Sequence, residues 1–595
     1  MKRILSCALL SLIISDLSHA TIKGGADRLI NQVDPRTNIG IEVVDLNTGT
    51  TLYSRNQNQA FVPASNMKLF SDAAALMVLG PDYRFKNTLS TNASQLQNGV
   101  LKGSLYLKLS GDPSFSRERL ASLLAVLKSW HINHIQGNVI IDSSHAIVNP
   151  YAPGWMTSDL AYSYGAPLGP TMIDANRMVA TVNPAGKPGE TAVVEVDDDS
   201  GSIIVNNEVK TKEKTARCGV SFVMDQENHL NVRGCIGVGQ WAIQQKMAIR
   251  NPLAYAKGLI RQQLAKENII LDGNVALGNT PNGAMLLATD SSKPISQLMA
   301  DTLKPSDNLY ADSLFLHAAH KLHGSPVNWP EAQQVVKKFL QDQTGIPMQQ
   351  AILTDGSGLS RNDLLTASQT VNLLRFLYER FPLAYEYISA LPVSGRDGTL
   401  QRRFKRPDQQ DMVRAKTGTM TGIVSLSGYL YTANAHTLAF AMYINNRPGT
   451  SPSISGKYRY LIDALCTYFL QQKPSNNSWS RIFASKNRIK YQMGPTQAEQ
   501  QRGKQARWRR LETVVKQAVN GQAVTVIYRG NELLLKDAQS DPGRVLNALQ
   551  ALKKKYPFAV AVSSKTMVSG NILWMETSNV PADSQRVWII REAVS

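Results

Sequence analysis

Apolar residues alternate or run together from Ile39 to Leu46 and again from Thr51 to Tyr53, on either side of Asn47-Thr48-Gly49. Two such runs around turn residues predict a β-hairpin. Pro63 then opens a helix that runs through Ser65 and Lys68 to about Leu79, where Gly80-Pro81-Asp82 stops it. From about Thr88 to Leu287 the chain turns into short β-type segments rich in turn residues, such as Gly103–Leu109 and Gly137–Ile141, with one helical pattern from Pro252 to Lys266. This reads as an inserted region of roughly 200 residues, 88–287, mostly β and in two subdomains. Helical periodicity returns at Ile295–His323, Pro330–Gln343 and Ala367–Arg380. Strands follow at Gly422–Tyr431 and Thr437–Ile444, then a last amphipathic helix at Tyr458–Gln472. The early hairpin and the late strand pair can share one antiparallel sheet with helices on its faces, so residues 21–87 and 288–473 form one body.

Pro474-Ser475-Asn476-Asn477-Ser478 marks a linker, 474–480, before a separate segment, 481–595. Helical patterns at about 505–519 and 544–554 interleave there with strands near Val524–Tyr528, Glu532–Leu535, Phe558–Val562, Ile572–Glu576 and Val587–Ile590. That is a small α/β domain. The expectation for the whole is an α+β multidomain protein.

The composition, 43% hydrophobic and 18% charged, is that of a globular protein, and 595 residues exceed one compact core. The first twenty residues stand apart: Lys2 and Arg3 precede an apolar run to Ile14, and Ser18-His19-Ala20 ends it. This predicts a secretory signal peptide cut after Ala20, and hence export to the periplasm. Export permits disulfides, and Cys218 and Cys235 flank a polar, glycine-containing hairpin pattern, so they form the expected pair. Cys466 lies in an apolar run and is expected to be a buried free thiol. The formal charge of +19 is uneven, with 19 Lys and Arg against 8 Asp and Glu from Arg481 onward. In an exported protein this favours an anionic wall polymer or a protein partner for the last domain over nucleic acid.

Ser65-Asn66-Met67-Lys68 places a hydroxyl and an amine three residues apart, on one face if helical. No other lysine has a serine at that spacing. Ser306-Asp307-Asn308 opens a helical pattern, and Lys416-Thr417-Gly418-Thr419 leads into a strand. SxxK, SDN and KTG in this order are a known signature of serine acyl-transfer enzymes. The chemistry accounts for the residue types. Ser65 attacks and Lys68, held neutral, takes its proton. Ser306 passes a proton to the leaving amine, and the Asn308 amide binds a substrate peptide group. Lys416 contributes positive potential, Thr417 and Thr419 bind a carboxylate, and Gly418 lets substrate lie against the strand edge. Backbone N–H groups of Ser65 and Thr419 form the oxyanion hole.

With Leu109-Ser110-Gly111-Asp112-Pro113, Thr354–Arg361 and Leu391–Leu400, and a separation of about 240 residues between Ser65 and Ser306, the chain resembles the low-molecular-mass class C penicillin-binding proteins, a D-alanyl-D-alanine carboxypeptidase/endopeptidase family. The resemblance covers about Ala20 to Gln472. It implies the penicillin-binding-protein and serine β-lactamase-like transpeptidase fold, two domains in the insertion, and peptidoglycan stem peptides as substrate. It also implies β-lactams as covalent inhibitors on Ser65; the residue patterns call for no cofactor or metal. The stretch Pro153–Asp159 followed by Ala166-Pro167 resembles the family segment that meets the free amine of a meso-diaminopimelate side chain, which nominates Asp159.

Other groups carry less. His317, His320 and His323 recur along one helical pattern without an HExxH context, and Asp197-Asp198-Asp199 lacks EF-hand spacing, so both read as structural. Two rivals to a DD-peptidase remain. A class A β-lactamase needs a glutamate soon after SDN, but Glu331 lacks the E-x-x-L-N context, with Val335 where Asn is expected. A non-catalytic peptidoglycan-binding protein would have no use for the complete set of reactive residue types.

Overall fold

The computed structural model describes residues 22–34, 37–142, 144, 149–446 and 452–472, and five strands between Val524 and Glu592. The expected signal peptide, the 474–480 linker and the two C-terminal helical patterns lie outside the described residues. The chain divides into two compact units, 1–493 and 494–595.

In the first unit, five antiparallel strands form the central sheet in the order Thr51–Arg55, Ile39–Asp45, Thr437–Asn445, Ile423–Tyr431, Val413–Met420. The expected union of the early hairpin with the late strand pair is therefore present. Every residue from Ile423 to Leu430 is buried, as is every residue from Thr437 to Ile444. Continuous burial means that both sheet faces are covered, which is why these strands read as apolar runs. One face packs on the helix over residues 22–33 and on Pro452–Leu470, through Ile30, Phe440, Leu461 and Phe469. On the other lie Lys68–Leu79, Ile295–Leu303, Asn308–His323, Trp329–Thr344, Ala367–Tyr378 and Leu383–Ala390. Burying side chains such as Phe70, Phe315 and Trp329 stabilises this layer by ~1.5–3 kcal/mol each.

Three local readings are corrected. Ser65 is not in the α-helix: Ala64–Met67 is a 3-10 turn that leads into Lys68–Leu79, because Ala64 adopts φ 49°. The periodicity from Ile295 to His323 breaks into two helices, since Ser306 has φ 67° and no helix continues through a left-handed residue. Lys416 does not merely precede the strand pair; it sits within a strand of its own, Val413–Met420, at the sheet edge.

The insertion contains five-, four- and three-stranded sheets and two helices, Arg117–Ser129 and Pro252–Lys266, the first of them unforeseen. One connected apolar cluster runs through it from Leu89 to Val275. Cys218 and Cys235 are bonded, with Cα atoms 5.0 Å apart at the antiparallel pair Val220–Met224 and His229–Gly237. Cys466 is buried and free.

In the second unit the described residues form an antiparallel sheet ordered Val524–Arg529, Glu532–Asp537, Arg586–Glu592, Phe558–Val568, Asn571–Met575.

Candidate active site

The 3-10 turn that carries Ser65 is held from three sides. A Cβ on Gly358 (φ 77°) would stand 1.8 Å from the Ala64 carbonyl oxygen, so only glycine permits the Thr354–Arg361 segment to cross behind the turn. A Cβ on Gly418 would meet Ser425 Oγ at 2.1 Å and the Pro63 oxygen at 2.8 Å, so glycine also lets the edge strand approach. Asn66 donates to Ser427 Oγ at 3.2 Å, and Ser425 donates to the Pro63 carbonyl at 2.7 Å. These two buried serines in an otherwise apolar strand thereby tie the turn to the sheet.

Lys68 occupies the first turn of the helix and is fully buried. Its Nζ lies 2.7 Å from Asn308 Oδ1, 2.7 Å from the Ser357 carbonyl oxygen and 3.1 Å from Ser65 Oγ. A neutral amine has two N–H donors and one lone pair. Two of its neighbours are pure acceptors and the third is a hydroxyl, so the set suits both an ammonium that donates to all three and a neutral amine that accepts from Ser65. Burial is the largest influence on this lysine and pushes its pKa from 10.5 down to about 8, against the opposing pull of Asp312, Asp355, Asp307 and Asp72. Burial also holds the carboxyl groups of Asp72 and Asp312 well above the ordinary carboxylate range. Among the described residues neither oxygen of Asp72 has a hydrogen-bond partner, as fits a buried acid kept neutral.

Lys416 Nζ lies 2.8 Å from Ser306 Oγ and 2.7 Å from the Thr417 carbonyl oxygen. Burial, and then the charge of Lys68, push Lys416 well down. The two buried amines disfavour each other's protonation, so their titrations are linked. Thr417 Oγ1 donates to Thr399 Oγ1 at 2.8 Å. Arg414 and Ala415 pair with Val393 and Pro392, whereas Lys416–Met420 meets no further strand on its outer side among the described residues. That open edge lies beside the Ser65 turn.

Sequence comparison matches the family profile of D-Ala-D-Ala carboxypeptidase 3 (S13) over residues 25–466. The chain belongs to the S13 D-Ala-D-Ala carboxypeptidase family. It is 30% identical over 420 residues to the D-alanyl-D-alanine carboxypeptidase DacB of Haemophilus influenzae, covering 70% of this chain and 87% of that protein. It is 30% identical over 430 residues to the D-alanyl-D-alanine carboxypeptidase of Actinomadura sp., covering 69% and 78%. The crystal structure of penicillin binding protein 4 from H. influenzae superposes with a TM-score of 0.68 at 29% identity, over 74% of this chain and 99% of that one. The same protein complexed with a novel β-lactam gives a TM-score of 0.65 at 28% identity. The S13 chain described here is thus a serine-type D-Ala-D-Ala carboxypeptidase with an α+β, multi-sheet fold.

Ser65, Lys68, Ser306, Asn308, Lys416 and Thr417 converge from three distant segments, and Gly418 and Thr419 continue the same edge strand. Asp159 ends a 3-10 turn, half-buried, and its Oδ1 accepts from Tyr164 Oη at 3.1 Å. The Tyr164 carbonyl in turn accepts from Asn308 Nδ2 at 2.9 Å, which brings the Asp159 loop to the site. Tyr164, Asp72 and Asp312 are not singled out in the sequence, and Asp355, Ser357 and Thr399 lie in the segments Thr354–Arg361 and Leu391–Leu400 without a role assigned to each. Asp312 had a signal, since it lies one helical turn after Asn308 and so shares its face.

The other eye-catching groups are structural. His317 lies between Ser313 O at 2.7 Å and Ser110 O at 2.8 Å and stacks edge-on to Phe85. Asp197 and Asp198 accept backbone N–H groups of Val179 and Ser200, and Asp199 pairs with Arg117. Glu331 closes a capping box with Asn328 at the start of its own helix.

Only a neutral amine can accept a proton, so a role for Lys68 as the base of Ser65 makes reactivity grow as pH rises to its pKa. The rate at which a fluorescent penicillin labels the protein is expected to rise about tenfold per pH unit below about 8 and to level off above it. A pH-independent rate across that range would contradict this assignment.

Proposed function

We propose that this carboxypeptidase works through a Ser65 acyl-enzyme in the periplasm and also cleaves D-Ala–meso-diaminopimelate cross-links of peptidoglycan. The observation that carries the reading is the contact set of Lys68, whose Nζ lies 3.1 Å from Ser65 Oγ while Asn308 Oδ1 and the Ser357 carbonyl accept from its N–H groups.

The substrate adds as a strand to Lys416–Met420, with its terminal carboxylate on the Thr417 and Thr419 hydroxyls and its peptide group on Asn308. Ser65 Oγ attacks the carbonyl carbon of the penultimate D-Ala as its proton passes to Lys68 Nζ. The Ser65 and Thr419 N–H groups receive the negative charge that develops on the carbonyl oxygen. The C–N bond breaks as the leaving amine takes the Ser306 proton, and the proton that Lys68 received from Ser65 is returned to the Ser306 oxygen, beside the Lys416 amine. Water then hydrolyses the ester and regenerates Ser65. A cross-link is cleaved by the same steps with a larger leaving amine. The Asp159 carboxylate, oriented by Tyr164, receives the side-chain ammonium of diaminopimelate. β-Lactams follow the same course as far as the ester.

Ser65→Ala is expected to abolish penicillin labelling and product release, while wild type releases D-Ala from a pentapeptide muropeptide and monomers from a cross-linked dimer, followed by mass spectrometry. Labelling of Ser65→Ala at the wild-type level refutes the nucleophile, and dimers left intact by wild type refute endopeptidase action. Asp159→Asn is expected to lower kcat/KM on diaminopimelate peptides about tenfold and leave penicillin acylation within about twofold.

For the basic segment from Arg481 onward we propose docking to an anionic wall polymer, supported by its surplus of 19 basic over 8 acidic residues. A chain ending at Gln472 is expected to lose salt-sensitive binding to isolated sacculi. Equal retention of both forms removes the idea.

A further inference from the structure

Immediately before the strand Arg177–Asn183 of the insertion, Asp174, Ala175 and Asn176 have φ of 54°, 53° and 50°. Three successive residues with a Cβ in the left-handed region are unfavourable and persist only where surroundings over-determine them. Here they do. The Asp174 carboxylate accepts from Arg117 N at 3.0 Å, Arg117 Nε at 2.7 Å and Tyr255 Oη at 2.7 Å. Asn176 is buried, donates to the Pro167 carbonyl at 2.8 Å and accepts at its own carbonyl from Ile249 N at 2.8 Å.

What this turn delivers is Arg177. Its guanidinium grips Asp307 with both terminal nitrogens, Nη2 at 2.7 Å from Oδ1 and Nη1 on Oδ2. Asp307 is the central residue of Ser306-Asp307-Asn308 and caps the helix that follows, its Oδ1 accepting from Tyr310 N at 3.2 Å. One carboxylate therefore receives the insertion's arginine and starts the helix that carries Asn308. On its N-terminal side stands Ser306, itself left-handed at φ 67°. The strand beyond Arg177 pairs with Ile243–Ala248, which bridges Tyr162 and meets the loop of Tyr164, whose carbonyl holds Asn308. The insertion thus grips the motif at two adjacent residues. A forked, planar guanidinium fixes both distance and orientation of a carboxylate, which a lysine does not.

We propose that Arg177 is a positioning residue for the reaction, supplied by the inserted region: through Asp307 it holds Ser306 and Asn308 in register with Ser65 and Lys68. The inference rests on the catalytic reading of that site. It assigns the insertion a share in the chemistry of the acylation step, beyond any part in substrate binding.

The test is stopped-flow acylation of the full chain by a fluorescent penicillin, which separates non-covalent affinity from the limiting acylation rate. Arg177→Met is expected to slow the limiting rate ~10- to 100-fold while affinity changes less than about threefold, because a small misplacement costs rate before binding. Arg177→Lys keeps the charge but loses the fork and is expected to fall between. In an Asp307→Asn background, where the ion pair is already gone, adding Arg177→Met is expected to cost less than about threefold more. A wild-type limiting rate in Arg177→Met, or an undiminished loss in the Asp307→Asn background, overturns the proposal. Should Arg177→Met fail to fold, Arg177→Lys decides in its place by the same two criteria. Asn308→Ala checks the site reading separately: a wild-type rate there overturns the site assignment, whatever the arginine variants do.

Discussion

A lysine amine taken out of water must find counter-charge or give up its proton, and Lys68 is poised between these outcomes. Burial lowers its pKa to about 8, and the buried acids around it stop the fall there. The displacement from 10.5 corresponds to about 3 kcal/mol of preference for the neutral form. Asp72 and Asp312 contribute to this balance without full counter-charge, because their own burial holds them toward the neutral form. The remaining specificity is geometric. Two acceptors, Asn308 Oδ1 and Ser357 O, occupy the N–H groups and leave the lone pair for Ser65.

The rest of the unit serves that arrangement by bringing three segments of the chain together under mild strain. Ala64 and Ser306 both lie in the left-handed region, at a cost on the order of 1–2 kcal/mol each. Ala64 is trapped between Gly358 and Gly418, where no side chain could fit. Ser306 is bracketed by Lys416 on its hydroxyl and by Asp307, whose N–H donates to the Thr302 carbonyl. Burial is the largest influence on Asp307 and pushes it up, yet it remains below the ordinary carboxylate range, because the hydrogen bonds and charge of Arg177, the Tyr310 N–H and the charge of Lys68 together outweigh that burial. The Ser65 turn, the Ser306-Asp307-Asn308 segment and the Lys416 strand therefore belong to one mechanically connected site.

What could be read from the residues follows a physical pattern. The three motifs were legible because each concentrates reactive groups at fixed spacing. The central strands were legible because burial on both faces makes them unbroken apolar runs. Val413–Met420 was not delimited, since buried Lys416 interrupts the alternation that a strand usually shows. The left-handed Ala64 and Ser306 left no local trace, since nothing in a serine or an alanine announces φ > 0. Asp72, Asp312, Asp355 and Arg177 are assigned no role from sequence, because the partners of a charged side chain held inside a protein are revealed only by the fold. The disulfide was recoverable because its two cysteines bracket a hairpin.

Burial draws the Lys68 pKa down toward physiological pH, so that a share of the resting enzyme carries the neutral amine that a base requires. A titration of the resting enzyme carrying lysines labelled with 13C at Cε, followed by NMR and assigned with Lys68→Arg, measures this directly. A Lys68 midpoint near 8 is expected. A midpoint at the ordinary lysine value of 10.5 would contradict it.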